Sequence, residues 1–277
     1  SAEQTPQLSI SFVGAGSYAM GNLLPNIPVS KEVALKGVMT SSGTSARTVA
    51  EKFGFEYCAS AEADIFGTED TNTVFIATRH DTHAAYVKRA LGTRKHVFVE
   101  KPLCMTEDEL DEITVAHQEL VQQGKPRILM VGFNRRFAPL AEQMKAALGS
   151  GVMSMLYRVN AGSIPADTWI QDAEMGGGRI IGEVCHFIDF LTYLNGSLPR
   201  KVHATAMSDP ANLDDTVNIN LGFENGSIGT ISYFSNGSKS LAKEYVEAYR
   251  GGRTAVLTDY RELKVYGKGK PSRKKLL

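Results

Sequence analysis

The segment Leu8-Ser9-Ile10-Ser11-Phe12-Val13 runs without interruption into Gly14-Ala15-Gly16-Ser17-Tyr18-Ala19-Met20-Gly21 and then Asn22-Leu23-Leu24. An alternating apolar strand that enters a glycine-rich turn and leaves as a helix is the opening of a βαβ unit, which ties this part of the chain to a parallel sheet. Gly14 permits the tight turn, Gly16 lets backbone approach a pyrophosphate, and Ala19 is small enough for the helix to pack on the sheet. The helix N-terminus then faces the phosphates. Gly14, Gly16, Ser17, Tyr18 and Ala19 are accordingly candidate dinucleotide-binding residues. A bare G-x-G-x-x-A is weak and is often only a structural turn; the strand before it and the helix after it give it weight.

Strand-like and helical runs alternate through the first half. Residues 33–40 precede a helix over about 45–53 that ends on Gly54. Then come a strand at 73–78, a helix around 83–90, a strand from Val97, and a helix begun by the capping box Thr106-Glu107-Asp108-Glu109. Residues 127–132 supply one more strand, and the succession predicts a doubly wound parallel sheet. After about Asn134 the pattern changes. A helix around 140–148 leads to a strand at 155–160, a loop with the only tryptophan, Trp169, the run Gly176-Gly177-Gly178, and a helix over about 179–194. Segments 202–206, 216–223, 227–234 and 244–250 alternate apolar and polar residues between Gly/Asn turns, as an antiparallel sheet with one packed and one exposed face does. The expected fold is α/β: a Rossmann-type dinucleotide-binding domain over 7–133 and an α+β domain on a mostly antiparallel sheet over 134–277. The basic tail Lys268 to Lys275 reads as solvated.

Composition narrows the function. A chain of 277 residues has room for about two domains, and 43% hydrophobic with 22% charged residues is ordinary for a globular core. Thirty basic residues balance thirty acidic ones, which points away from nucleic-acid and anionic-membrane partners. Cys58, Cys104 and Cys185 form no C-x-x-C pair, arguing for a reducing compartment and against a disulfide framework or a metal site. With no apolar run of membrane-spanning length and no signal-peptide pattern at Ser1-Ala2-Glu3-Gln4-Thr5-Pro6, the expected location is the cytoplasm. The Asn-Gly-Ser triplets at Asn195, Asn225 and Asn236 read as turns rather than glycosylation sites.

Two segments carry chemistry. In Val97-Phe98-Val99-Glu100-Lys101-Pro102 an uncharged β-branched run ends on a charged pair, and Pro102 stops the strand. Lys101 is thereby held at the carboxyl edge of a buried strand, where ligands of open parallel sheets bind. The simpler reading is a solvated loop lysine; its neighbours in sequence argue against it. In Ile180-Ile181-Gly182-Glu183-Val184-Cys185-His186-Phe187-Ile188-Asp189, Glu183, His186 and Asp189 stand three apart along one side of a helix. A histidine flanked by carboxylates is suited to carry a proton near neutral pH, although a histidine on a half-buried helix often only bonds its neighbours. A single Glu-x-x-His without a four-helix pattern does not make a di-metal site.

Taken in order, Gly14-x-Gly16, Ala77-Thr78…His83, Glu100-Lys101-Pro102, Gly132-Phe133-Asn134-Arg135-Arg136-Phe137 and Gly176-Gly177-Gly178…His186-x-x-Asp189 resemble the glucose-fructose oxidoreductase/inositol dehydrogenase (Gfo/Idh/MocA) family over nearly the whole chain. The resemblance implies a Rossmann domain followed by an α/β domain on a mostly antiparallel sheet, with Lys101 and His186 meeting at the nicotinamide of NAD or NADP. It implies hydride transfer at a secondary alcohol or ketone of a sugar or polyol, with His186 accepting the hydroxyl proton and Lys101 holding the oxygen. Glu100 then orients backbone or cofactor, and Thr78 and His83 line the cofactor cleft with Thr40 and Ser41. Asn134, Arg136, Trp169 and Glu183 are candidate substrate contacts.

The chain departs from that pattern in places. Many relatives carry an aspartate four residues before the histidine, where this chain has Gly182; Glu183 replaces it only if the helix is rotated. Thr40-Ser41-Ser42-Gly43-Thr44-Ser45 offers hydroxyls where an acid would bind the ribose of NAD, and Arg47 stands several residues on, so the choice between NAD and NADP stays open. Similar modules with the same Gly-Glu-x-Cys-His-Phe helix occur fused behind zinc-dependent alcohol dehydrogenases, which raises the expectation of a covalent fusion to another enzyme domain. The exposed sheet face suggests a homo-oligomer. Two other functional classes compete: a glycoside-cleaving enzyme of the same family that regenerates its NAD in each turnover, and a non-catalytic dinucleotide-binding module.

Overall fold

The computed structural model describes residues 8–28, 30–208 and 215–276. Described residues up to Gly132 form one compact unit and those from Phe133 a second. Gln7 and Leu277, the outer bounds of the expected domains, lie outside the described residues.

In the first unit, β1 (Leu8–Val13), β2 (Val33–Met39), β3 (Tyr57–Cys58), β4 (Thr73–Ile76), β5 (His96–Val99) and β6 (Leu129–Val131) form a parallel sheet in the order β3-β2-β1-β4-β5-β6. This is the doubly wound arrangement, and its order reverses between β1 and β4, where the carboxyl ends of the strands open a crevice. Burial of Ser11, Phe12 and Val13 on consecutive positions fits β1 as a central strand covered on both faces. Phe12, Phe75 and Phe98 stack across β1, β4 and β5 with ring centroids 4.9 and 4.8 Å apart, pinning the register.

The crossovers are α1 (Gly43–Phe53), α2 (Ala63–Phe66), α3 (His80–Gly92) and α4 (Glu107–Gln122). Ser42 caps α1 by accepting from the Ser45 N–H, and Gly54 ends it at a φ of +79°. The capping box of α4 forms in full, with Thr106 Oγ1 accepting from Glu109 N–H and the Glu109 carboxylate from Thr106 N–H. The helix expected after the glycine turn is short. A π-helical turn at Ala19–Leu23 passes into a 3₁₀ turn at Leu24–Asn26, where Pro25 has no N–H to continue an α-helix. The two-residue β3 was too brief for its periodicity to show in sequence.

In the second unit, β7 (Ser154–Asn160), β8 (Pro199–Ala206), β9 (Val217–Phe223), β10 (Ile228–Phe234), β11 (Glu244–Arg250), β12 (Arg253–Thr258), β13 (Glu262–Tyr266) and β14 (Ser272–Lys275) form a sheet in the order β14-β13-β12-β11-β7-β10-β9-β8. The β7–β10 pair is parallel and the other pairs are antiparallel. Helices α5 (Pro139–Leu148) and α6 (Cys185–Asn195) supply Leu140, Met144, Phe187 and Leu191 to one core with Tyr157, Ile219, Leu221, Ile231, Val246 and Leu257 of the sheet. Alternate residues face outward, as the pattern in β9 predicts.

Several local readings are corrected. The basic tail is not simply solvated: Ser272–Lys275 pairs with β13, and Arg273 is salt-bridged to Glu262 across it. Residues 253–258, which carry no clean alternation, are a strand. The helix expected over 179–194 begins as a π-helical turn at Ile180–Val184 before becoming α6. Asn195 closes α6 with Gly196 as its left-handed cap at a φ of +70°, so this triplet is a helix end. Among the described residues no helix is long and apolar enough to cross a membrane. Replacing the α4 cap by Thr106→Ala is expected to lower the unfolding free energy by about 1 kcal/mol, read as a lower midpoint in urea with an unchanged slope.

Candidate active site

Within the first unit, the end of β1 delivers Gly14 at a φ of +82°, in the left-handed region. A Cβ at Gly14 would lie 2.5 Å from the Ala77 carbonyl oxygen and 2.8 Å from the Thr78 methyl carbon, so glycine alone fits. Hydrogen bonds from Gly14 N–H to Met39 O at 2.8 Å and from Ala77 N–H to Val13 O at 2.9 Å hold the turn on both sides. Gly16, Ser17 and Tyr18 are exposed, and Ala19 is buried. A Cβ on Gly16 would meet nothing within 4 Å. Backbone open to approach, set at the switch point of the sheet, is what a dinucleotide pyrophosphate requires, and these residues fit that group.

At the end of β2, Thr40 Oγ1 donates to Ser42 O at 2.8 Å. The first turn of α1 holds no acidic residue, so this edge supplies no carboxylate for a ribose 2′-hydroxyl and admits NAD or NADP. Thr78, after β4, is half-buried and its hydroxyl accepts from Thr82 Oγ1 at 2.7 Å. His83 has 0% exposure, with Nδ1 2.7 Å from Pro102 O and Nε2 3.2 Å from Thr78 O. Burial pushes its pKa down. A side chain so enclosed has no surface with which to touch a cofactor.

Glu100 follows β5, its N–H donating to Ile76 O at 2.8 Å and its carboxylate accepting from Lys101 N–H at 3.3 Å. Burial pushes the Glu100 carboxyl up. The carboxylate sits against Gly132, where a Cβ would stand 2.9 Å from Glu100 Oε1. Lys101 is half-buried and joined to Pro102 by a cis peptide.

In the second unit His186 is the second residue of α6, 6% exposed, with its ring edge-on to Phe133 at 6.0 Å. The carboxylates expected beside it both hold cations. Glu183 accepts from Lys243 Nζ at 2.7 Å, from the Tyr233 hydroxyl, and from Arg179 at 3.4 Å. Burial by itself would raise its pKa, but the Lys243 pair, the Tyr233 bond and Arg179 outweigh that and bring it down to about 2. Asp189 accepts from two nitrogens on one edge of the Arg136 guanidinium, Nε at 3.0 Å and Nη2 beside it. Asn134 is exposed and Arg136 half-buried on the 3₁₀ turn Asn134–Phe137. Trp169 is half-buried in a loop that folds back on the glycine run: a Cβ on Gly176 would lie 2.4 Å from Trp169 O, and Gly178 N–H donates to Ile170 O at 2.9 Å.

Sequence reasoning missed the pairs that brace this region. Arg135 grips Glu244 at 2.8 and 2.7 Å, and Glu244 also accepts from the Tyr157 hydroxyl. Arg179, 4% exposed, donates to Gly162 O at 2.7 Å and lies 3.8 Å from Asp215. A charged residue opening the alternating strand at Glu244 was the available signal.

Residues 8–133 match the family described as "Oxidoreductase family, NAD-binding Rossmann fold", and residues 141–246 match its C-terminal domain. The chain belongs to the Gfo/Idh/MocA family of NAD-binding oxidoreductases. It is 28% identical to an uncharacterised oxidoreductase, YrbE, of Bacillus subtilis over 82% of this chain and 67% of that one. It is 29% identical to an inositol 2-dehydrogenase of Acidothermus cellulolyticus over 71% of this chain, a match that spans only 56% of that relative. A levoglucosan dehydrogenase solved with NADH and levoglucosan superposes with a TM-score of 0.81 at 22% identity, over 98% of this chain and 80% of that one, and so shares the fold.

Two outcomes follow from this geometry. Gly14→Ala is expected to lower the melting temperature, whereas Gly16→Ala leaves it unchanged and removes the stabilisation by added dinucleotide, both read by thermal shift. Because Glu183 ionises more readily folded than unfolded, its contribution to stability is present above its ordinary value of 4.5 and is lost as pH falls toward about 2. Glu183→Gln is expected to unfold more easily at neutral pH and to lose part of the acid sensitivity in that window, measured by urea midpoints against pH.

Proposed function

We propose that this protein transfers hydride between a nicotinamide dinucleotide and a secondary alcohol or ketone of a sugar, polyol or related small molecule. The observation that carries the reading is Lys101, half-buried beyond the carboxyl end of β5 in the same parallel sheet whose Gly14–Gly16 turn is shaped for a pyrophosphate. The names of relatives, inositol 2-dehydrogenase and levoglucosan dehydrogenase, support a polyhydroxylated substrate. Gly14, Gly16, Ser17, Tyr18, Ala19, Thr40, Ser41 and Thr78 would hold the dinucleotide, which supplies the acceptor for the carbinol hydrogen as hydride.

The remaining chemistry belongs to side chains. As the hydroxyl proton leaves, negative charge grows on the substrate oxygen, and the Lys101 ammonium offsets it. His186 accepts the proton, a task suited to imidazole near neutral pH. Glu183 stays ionised against Lys243 and Arg179, so it does not exchange protons with substrate in the working range, and Asp189 is engaged by Arg136.

Absorbance of reduced nicotinamide across a sugar and polyol panel, with NAD and NADP in parallel, tests the proposal. Lys101→Met is expected to abolish turnover while keeping the dinucleotide-induced rise in melting temperature. His186→Asn is expected to reduce kcat by roughly 10²- to 10⁴-fold, the usual contribution of a general base. No thermal shift with either dinucleotide sinks the assignment; a tightly retained cofactor without net reduction moves it to the glycoside-cleaving class.

A further inference from the structure

We propose that His83 is a positioning residue that fixes the Lys101-Pro102 turn against the dinucleotide turn by donating to Pro102 O while its ring packs against Thr78 O. The role assigned to Lys101 rests on the function proposed above; the role assigned to His83 rests on the geometry of the first unit. The last sheet-like bond along this stretch is Glu100 N–H to Ile76 O at 2.8 Å. Beyond it Pro102 has no N–H, and Lys101 N–H turns back to the Glu100 carboxylate at 3.3 Å. A turn that leaves the ladder there needs another anchor, and Pro102 O finds one in His83 Nδ1 at 2.7 Å.

The other face of the ring completes the link. His83 Nε2 stands 3.2 Å from Thr78 O, and the Ala77-Thr78 backbone is the surface against which Gly14 is pressed. Gly14, Thr78, His83 and Pro102 therefore form a continuous run of contacts from the pyrophosphate turn to the residue beside Lys101. The shorter of the two approaches places the ring proton on Nδ1, donating to Pro102 O, and leaves the approach of Nε2 to Thr78 O as a packing contact. The charged and titratable neighbours are Lys101, which disfavours a second ring proton, Asp81, which favours it, and the His80 ring at 5.8 Å. Burial, the larger influence, lowers its pKa and so favours the ring with a single proton.

Amide geometry makes the idea separable from packing. The amide nitrogen of asparagine overlays Nδ1 of histidine and that of glutamine overlays Nε2, so His83→Asn keeps the donor to Pro102 O, whereas His83→Gln moves the donor to the Thr78 O side. His83→Leu removes the donor altogether. The direct probe is the pH-dependent rate of Lys101 modification by pyridoxal 5′-phosphate with borohydride, resolved by peptide mass spectrometry, with melting temperature and dinucleotide thermal shift recorded alongside.

The expected order is wild type close to His83→Asn, with His83→Gln and His83→Leu both altered several-fold at Lys101 and the dinucleotide shift kept. On the substrate found by the panel, Gln and Leu are expected to lose roughly 10- to 100-fold in kcat with dinucleotide KM little changed, the scale of a displacement of about an ångström. Equal Lys101 reactivity in all four proteins overturns the proposal. Equal damage in all three variants also overturns it, because that is loss of packing alone. If His83→Leu does not fold, the Asn–Gln contrast decides, and ¹⁵N NMR of the wild-type ring is a further check in which an Nε2–H tautomer refutes it. Absence of turnover in wild type with the labelling order intact removes the oxidoreductase reading and leaves the His83 assignment standing.

Discussion

Everything in the first unit is arranged around a contact with no room for a side chain. The backbone at Gly14 presses on Ala77 and Thr78 so closely that one added carbon would stand 2.5 Å from a carbonyl oxygen. That approach brings the ends of β1 and β4 together where the strand order reverses, and the ladder bonds on either side keep it closed. The exposed backbone of Gly16, the buried Ala19 and the anchored Thr78 all lie beside it. A dinucleotide-binding turn is thus a packing constraint first and a recognition element second.

Ion pairing organises the second unit in a comparable way. Arg135 with Glu244, Arg136 with Asp189, and Lys243 with Arg179 around Glu183 connect the segment after Phe133 and the helix at 180–195 to strands of the sheet. These are hydrogen-bonded pairs with little exposure on at least one partner, so removing one member leaves a charge stranded rather than solvated. The helix that carries His186 is held by its carboxylates, Glu183 by Lys243 and Arg179 and Asp189 by Arg136.

Much was legible in the sequence because it depends on local rules. The capping box at Thr106, the stop at Gly54, the alternation of β9 and the strand-helix rhythm of the first unit each follow from backbone sterics and side-chain period. Where the local signal was thin, the reading fell short: β3 has two residues, β12 lacks a clean alternation, and the basic β14 resembles a solvated run until Glu262 pairs with Arg273. The spacing of Glu183, His186 and Asp189 suggested a shared purpose. Tertiary contacts gave the two carboxylates to cations that lie far away in sequence.

By itself the sequence determined the type of sheet, the place of the glycine turn and the delivery of Lys101 to a strand end, since periodicity, glycine conformations and proline stops act over a few residues. Only the tertiary structure decided what the neighbouring side chains do. His83, expected to line the cofactor cleft, is enclosed between two carbonyls, and Glu183, the candidate substitute for a missing acid, is neutralised by Lys243 and Arg179. The reason is physical: burial and charge pairing depend on groups brought together by the fold, and no spacing along the chain encodes the field a side chain meets there.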